Sequence, residues 1–476
     1  MNYEKVIGLE VHAELSTNTK AYCSCKNEFG SPVNTNCCPI CMGFPGILPT
    51  LNREVVNYAI KAGLALNCKI RQFSKQDRKN YFYPDLGKAY QITQYDLPLC
   101  YEGYLDIMVD GVERRIGITR IHIEEDTGKL LHDITDGSLL DFNRAGVPLI
   151  EVVTEPDIRS SREAEVFLET VRSILQYIEV SDGKMQEGSI RCDVNVSIRE
   201  EGDTKFGTRC EMKNVNTFSG AVRAIEYEAK RQQEVIENGG VIDQETRRWD
   251  DAANQNFLMR SKENSNDYRY FPEANVMPIV VDDAWIESIA KTIPELPHVK
   301  MRRYIEKMDL PEYDAGIITS SQSFSRYFEE VVDCGANPKE VSNWCMGEIS
   351  RLLKETEKSY DEIPVTPKKL AKLIALIDKK TVSVSAGKKV FTKMFETDED
   401  PEKLIKEMGL SQMNDEGAIL AMVTETVAAN PQSVEDYKNG RDRALGFLVG
   451  QIMKKSAGKA NPKMVSDMVK DALEKA

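Results

Sequence analysis

The stretch Val6-Ile7-Gly8-Leu9-Glu10-Val11-His12-Ala13-Glu14-Leu15 alternates polar and apolar side chains with a period of two. In an extended chain this puts Glu10, His12 and Glu14 on one face and Leu9, Val11 and Ala13 on the other. Three more segments, 115–124, 189–199 and 208–214, carry the same alternation between Gly, Pro and Asn punctuation. Together they predict strands of a mainly antiparallel sheet, with helices over 160–177 and 220–238 beside it. The fold class expected is therefore α+β.

Beyond residue 290 the pattern changes. Ile293-Pro294-Glu295-Leu296-Pro297 breaks both kinds of regular structure, and helical periodicity follows over 298–307, 323–334, 338–354 and 367–377. The acidic turn Asp398-Glu399-Asp400-Pro401 marks a second boundary, after which the chain is again helical. Three domains are expected at 1–292, 293–400 and 401–476, in keeping with 476 residues being too many for one core.

Composition narrows the function classes. No apolar run is long enough to span a bilayer, and no apolar segment follows Met1-Asn2-Tyr3-Glu4-Lys5, so a cytoplasmic protein is expected. Eleven cysteines in such a chain favour thiols or a metal site over disulfides. A formal charge of -14 argues against binding nucleic acid by bulk charge, though not against a local basic surface. One such surface is the segment 441–476, with eight basic side chains against four acidic ones. There is no P-loop and no G-x-S-x-G elbow. His12, His122, His132 and His298 are the only histidines, poor material for a Ser-His-Asp hydrolase.

Cys23-Ser24-Cys25 and Cys37-Cys38-Pro39-Ile40-Cys41 form two close thiol groups that can converge on one tetrahedral ion. Cys23, Cys25, Cys38 and Cys41 are the expected zinc ligands, with Cys37 able to replace Cys38; a cluster of unligated thiols is the alternative. Four thiolates leave zinc no open position, so the site is expected to be structural.

A second constellation is polar. Arg191, Asp193, Asn195 and Ser197 share one strand face, as do Arg209, Glu211 and Lys213, and Ile121-His122-Ile123-Glu124-Glu125-Asp126 adds carboxylates at a strand end. Carboxylates suit Mg²⁺ and the cations suit phosphate, the combination phosphoryl transfer requires. A solvated sheet face is the plainer reading of any one of these segments taken alone.

Longer motifs add a family resemblance. The chain resembles the B subunits of aspartyl/glutamyl-tRNA amidotransferases in Gly8-Leu9-Glu10-Val11-His12, the cysteine block ending Pro45-Gly46-Ile47-Leu48-Pro49, and Lys79-Asn80-Tyr81-Phe82-Tyr83-Pro84-Asp85-Leu86. The likeness continues through Tyr90-Gln91-Ile92-Thr93-Gln94, 121–129, Asp141-Phe142-Asn143-Arg144-Ala145-Gly146-Val147-Pro148-Leu149, 188–199 and 207–216. It ends with Arg260-Ser261-Lys262-Glu263, Asp267-Tyr268-Arg269-Tyr270-Phe271-Pro272, 444–451 and Gly458-Lys459-Ala460-Asn461-Pro462, the last two resembling a YqeY-like domain.

The resemblance implies a catalytic cradle, a helical domain and a tRNA-binding tail. It implies ATP-dependent phosphorylation of the side-chain carboxylate of glutamate or aspartate misacylated on tRNA, followed by amidation. Ammonia would come from the family's glutaminase, the A subunit, within a heterotrimer completed by a small C subunit. The family's Mg-ATP site maps onto Glu10, His12, Glu125, Asp193 and Glu211, with nucleotide contacts from Lys79, Tyr81, Lys88, Ser189, Arg191 and Lys213. The cysteine block resembles a zinc site found in many members. Three departures stand out: Gly87-Lys88-Ala89 replaces the usual Pro-Lys-Gly, Ser219 replaces a frequent arginine, and Cys37 is an extra thiol. Two other classes compete: a stand-alone ATP-dependent carboxylate–amine ligase, which has no need of the tail, and a non-catalytic zinc-dependent RNA-binding module.

Overall fold

The computed structural model describes all residues except 1, 132–136, 262–264, 412–415, 439–440, 442, 457–459, 461 and 476. His132, Lys262, Glu263, Gly458, Lys459 and Asn461, named above, lie outside the described residues. The chain divides into two compact units, Met1–Pro297 and His298–Ala476.

The first unit is built on one nine-stranded sheet. In chain order its strands are β1 (Tyr3–Glu14), β2 (Lys69–Ile70), β3 (Cys100–Val109), β4 (Val112–Glu125) and β5 (Pro148–Thr154). They continue with β6 (Ile190–Glu200), β7 (Cys210–Val215), β8 (Glu245–Asp250) and β9 (Gln255–Ser261). The spatial order is β9-β8-β7-β6-β1-β5-β4-β3-β2, and every pairing is antiparallel except β7 with β8. Strand β1 lies at the centre, paired over eleven residues with β6 and over five with β5.

The period of two explains why the sheet has two unlike faces. Leu9, Val11 and Ala13 are buried in the main core, while Glu10, His12 and Glu14 are half-buried on the opposite side. On the apolar side lie α1 (Arg53–Ala65), α2 (Ser161–Tyr177) and α3 (Phe218–Glu237). Phe167, Leu168, Val171 and Ile174 of α2 recur at helical spacing and are fully buried there. Each helix begins at a side-chain cap, in which Asn52, Ser160 and Thr217 accept the amides of Glu54, Glu163 and Gly220. Each cap contributes about 1 kcal/mol. With its apolar face covered, the sheet leaves the other face to polar chemistry. A small three-stranded sheet of Asp77–Asn80, Tyr90–Thr93 and Phe271–Pro272 and two two-stranded ribbons accompany it.

The second unit is helical among its described residues. One apolar cluster runs from Tyr304 to Ile405 and another from Ile419 to Leu473. Among the described residues, no helix is long and apolar enough to cross a membrane.

Candidate active site

Antiparallel register decides which side chains meet on the polar face. Glu10 lies opposite Asp193 on β6, and His12 lies opposite Glu151 on β5, which itself faces His122 on β4. Directly opposed residues project to the same side of a sheet. The result is a cavity of about 270 Å³ whose walls include Glu10, His12, His122, Glu124, Glu151, Asp193, Glu211, Lys79 and Lys213.

Two acidic groups stand side by side in it. His12, Glu124 and Glu151 form one, Glu10, Asp193 and Glu211 the other, and within each group one ligand atom per residue lies within 4.8 Å of the others. In the first group Glu151 Oε2 is 3.6 Å from His12 Nε2 and 3.2 Å from His122 Nε2. His122 Nε2 is also 3.2 Å from Glu124 Oε1. Burial acts to lower the His122 pKa, but Glu151 and Glu124 override it and hold the imidazole near 9, hence protonated. Burial and Glu151 act to raise Glu124, and the positive charges of His122 and Lys79 bring it down to about 2. Gln91 and Thr93 fix its orientation, donating to its two carboxylate oxygens at 3.2 and 2.7 Å.

In the second group Lys213 Nζ reaches Asp193 at 2.7 Å and Glu211 at 2.9 Å. Thr246 Oγ1 donates to the other oxygen of Glu211 at 2.8 Å. Glu10 accepts from Asn195 at 3.0 Å. Its pKa is raised by burial first, then by Glu151, Glu211 and Asp193. That crowding of like charge is the local sign that the residues fit hard cations: a divalent ion would relieve it, and oxygen ligands are the set magnesium takes. Tyrosines border the cavity, with Tyr95 and Tyr270 stacked at 4.2 Å between centroids and Tyr81 edge-on to Tyr268 at 6.1 Å.

Not every expected residue comes to this cavity. Glu10, His12, Asp193, Glu211, Lys79 and Lys213 line it, and Tyr81 touches its wall through Tyr268. Glu125 does not line it. Adjacent residues of a strand point to opposite faces, so Glu124 takes the cavity and Glu125 is buried behind it, accepting from Lys88 Nζ and, at 3.0 Å, from the amide of Ile92. Lys88 is thereby committed to Glu125. Arg191 turns to Asp126 at 2.6 Å, and Ser189 borders a separate cavity beside Glu14 and Asp182. Ser219 is exposed in the first turn of α3. Glu151 is a functional candidate that sequence reasoning missed, and His122 and Glu124 lay in the carboxylate segment it singled out but were not chosen as site residues. Glu151 left a signal, as the single charge in the otherwise apolar strand Pro148–Thr154. His122 and Glu124 left another, their spacing of two.

The four cysteines Cys23, Cys25, Cys38 and Cys41 also converge, one sulfur from each within 4.8 Å. Cys41 Sγ accepts the Cys38 amide at 3.1 Å and lies 3.9 Å from Cys38 Sγ. Hydrogen bonding from Cys23 outweighs burial and brings the Cys41 thiol down to about 4, with further help from the Cys38 amide and the buried Lys20, 3.7 Å away. The cluster thus favours a thiolate, the form that binds metal. Cys37 instead turns to the carbonyl of Asn34 at 3.2 Å. The altered loop Gly87-Lys88-Ala89 packs on this knuckle. A β-carbon on Gly87 would sit 2.2 Å from the Met42 carbonyl oxygen, so the proline usual in the family has no room in this arrangement.

Known proteins are similar to this chain over its whole length. Residues 5–287 match the GatB/GatE catalytic domain and residues 326–473 match the GatB domain. The B subunit of an aspartyl/glutamyl-tRNA(Asn/Gln) amidotransferase from Caldicellulosiruptor bescii is 61% identical over 479 residues, covering 100% of both chains. Proteins of the same name from Thermoanaerobacter pseudethanolicus and Clostridium tetani are 57% and 53% identical, again over 100% of both chains.

Proposed function

The chain belongs to the GatB/GatE family, and on that premise we propose that it is the ATP-using subunit of a tRNA-dependent amidotransferase. Its substrate is glutamate or aspartate esterified to tRNA(Gln) or tRNA(Asn), and its product is the corresponding amide. It works in a multi-subunit enzyme, a heterotrimer in which a glutaminase, the A subunit, supplies ammonia and a C subunit is the third member. The reading rests above all on the two acidic groups standing side by side on one sheet face, with lysines against them.

A carboxylate is a poor acyl donor, so it must first be activated. A side-chain carboxylate oxygen attacks the γ-phosphorus of ATP, the bond to the bridging oxygen breaks, and ADP leaves. The nitrogen lone pair of ammonia then attacks the acyl carbon, phosphate departs with the original carboxylate oxygen, and the nitrogen loses a proton. Magnesium held by His12, Glu124 and Glu151 and by Glu10, Asp193 and Glu211 would neutralise the phosphate oxygens. Lys213 and Lys79 place fixed positive charge beside the same space, and His122 holds Glu124 and Glu151 in one orientation. Zinc at Cys23, Cys25, Cys38 and Cys41 would cross-link the N-terminal loops and take no part in the chemistry. The basic tail supports binding of tRNA through its phosphates.

The test uses the whole complex with glutamyl-tRNA(Gln). Asp193→Asn should abolish tRNA-dependent ADP formation while leaving glutamine hydrolysis measurable in the partner. An Asp193→Asn complex that forms ADP at the wild-type rate would remove the second acidic group from the reaction.

A further inference from the structure

Arg120 is the one arginine or lysine that β4 contributes to the cavity among the described residues, and nothing in the family motifs quoted above includes it. It shares a face with His122 and Glu124, at a spacing of two along the strand. Across the sheet its register partner is Val153, whose own partner is Glu10. Two strand spacings therefore separate Arg120 from the Glu10 group, roughly 10 Å.

The other lysine and arginine side chains of the cavity differ from it, as does His122, which is paired with Glu124 and Glu151. Lys213 is paired with Asp193 and Glu211, Lys79 lies 5.0 Å over the Tyr268 ring, and Arg209 is exposed to water. Arg120 has no carboxylate within ion-pair distance among the described residues, and its Nε is buried without a hydrogen-bond acceptor. A buried charged donor left unmatched is costly, and native proteins keep few of them. Such a group on a cavity wall has the character of a site awaiting an anion.

On the proposed function as premise, we infer that Arg120 holds the side-chain carboxylate of the aminoacyl group, presenting it to the phosphate-binding part of the cavity. A planar guanidinium fork matches a carboxylate through two parallel hydrogen bonds. Lys213, against the Glu10 group on the far side of Val153, is the cation placed for phosphate oxygens there. The assignment has a consequence for turnover. The substrate side chain is an anion, whereas the product amide is neutral, so Arg120 distinguishes the two and favours product release. It is a specificity residue in contact with the reacting group.

The experiment compares wild-type, Arg120→Gln and Arg120→Lys in the whole complex, measuring KM for glutamyl-tRNA(Gln), inhibition by glutaminyl-tRNA(Gln), and KM for ATP. Wild-type should hold the substrate tighter than the product by about ten- to a hundredfold, the range of a charge-assisted hydrogen bond. Arg120→Gln should bring that ratio close to one with KM for ATP unchanged, and Arg120→Lys should restore part of it. A raised KM for ATP with the ratio intact would make Arg120 a phosphate ligand and overturn the assignment. An unchanged ratio and an unchanged KM for ATP would overturn it too, leaving Nε satisfied by water. If Arg120→Gln does not fold, an Arg120→Lys complex with the full wild-type ratio and KM values contradicts the bidentate fork. Failure of the wild-type complex itself to form ADP with glutamyl-tRNA would instead strike at the proposed function.

Discussion

Glutamine at position 124 and glutamine at position 125 should have different consequences, although the two side chains are neighbours in the chain. Glu124 is held in the cavity by Thr93, Gln91 and His122, at 2.7, 3.2 and 3.2 Å. An amide fits the same space but lacks the charge that a cation requires. Comparable losses of fixed transition-state stabilisation cost about 2.7–4 kcal/mol, or roughly a hundred- to a thousandfold in kcat. Stability should fall by only about 1–2 kcal/mol, because the Gln91 bond to Oε2 survives and the Thr93 and His122 contacts at Oε1 are weakened. Glu125 is 2% exposed and carries the Lys88 ion pair. Removing its charge leaves a buried lysine unmatched, a change worth about 3–5 kcal/mol of stability. Steady-state ADP release at several magnesium concentrations, with melting curves beside it, separates the two. Glu124→Gln should be slow and need more magnesium. Glu125→Gln should melt earlier, with its remaining activity showing the wild-type magnesium dependence. A Glu124→Gln complex with wild-type rate and wild-type magnesium dependence would refute the assignment of Glu124 to the cation site.

Three further outcomes are expected. Cys41→Ser should lower bound zinc and the melting temperature together, and metal analysis of pure wild-type protein finding no zinc would contradict the cross-link. A chain ending after Leu410, which keeps Leu404 and Ile405 in their apolar cluster, should retain ATP binding but show a raised KM for misacylated tRNA. Its tRNA affinity should also depend less steeply on salt, as titrations at several ionic strengths would reveal. Phe167→Ala, in the fully buried face of α2, should cost about 3–5 kcal/mol of stability in denaturant unfolding while leaving KM for ATP as it was.

Much of the sheet is legible because one physical rule governs it. A strand covered by helices on one side must alternate, and β1 does so from Ile7 onward, which is enough to bring Glu10 and His12 to the polar face. The same rule, followed two strands further along the sheet, separates Glu124 from Glu125. The family resemblance pointed to Glu125, while the alternation of His122, Glu124 and Arg120 points to the other face. What alternation does not contain is position along that face. Arg191 and Glu14 share it with Asp193 and His12, yet both lie by Asp126. Burial, reinforced by Asp126, pushes Glu14 up to about 7. Which part of the face becomes a cavity depends on the small sheet carrying Lys79 and Thr93 and on the Tyr268–Tyr270 segment. Those contacts join residues nearly two hundred positions apart, and local periodicity holds no record of them. Glu151 is the intermediate case: a lone charge in an apolar strand is visible in the sequence, but only the register with His12 and His122 gives it partners.

Direct attack of the side-chain carboxylate on ATP can be followed through its oxygen atoms. Transfer RNA for glutamine is charged with glutamate carrying a heavy-oxygen label in its side-chain carboxylate, and the whole complex is then supplied with ATP and glutamine. If the carboxylate is phosphorylated and ammonia then displaces phosphate, each inorganic phosphate released carries one labelled oxygen from glutamate. Inorganic phosphate whose new oxygen comes only from water, formed while glutaminyl-tRNA accumulates at the normal rate, would contradict phosphorylation of the carboxylate.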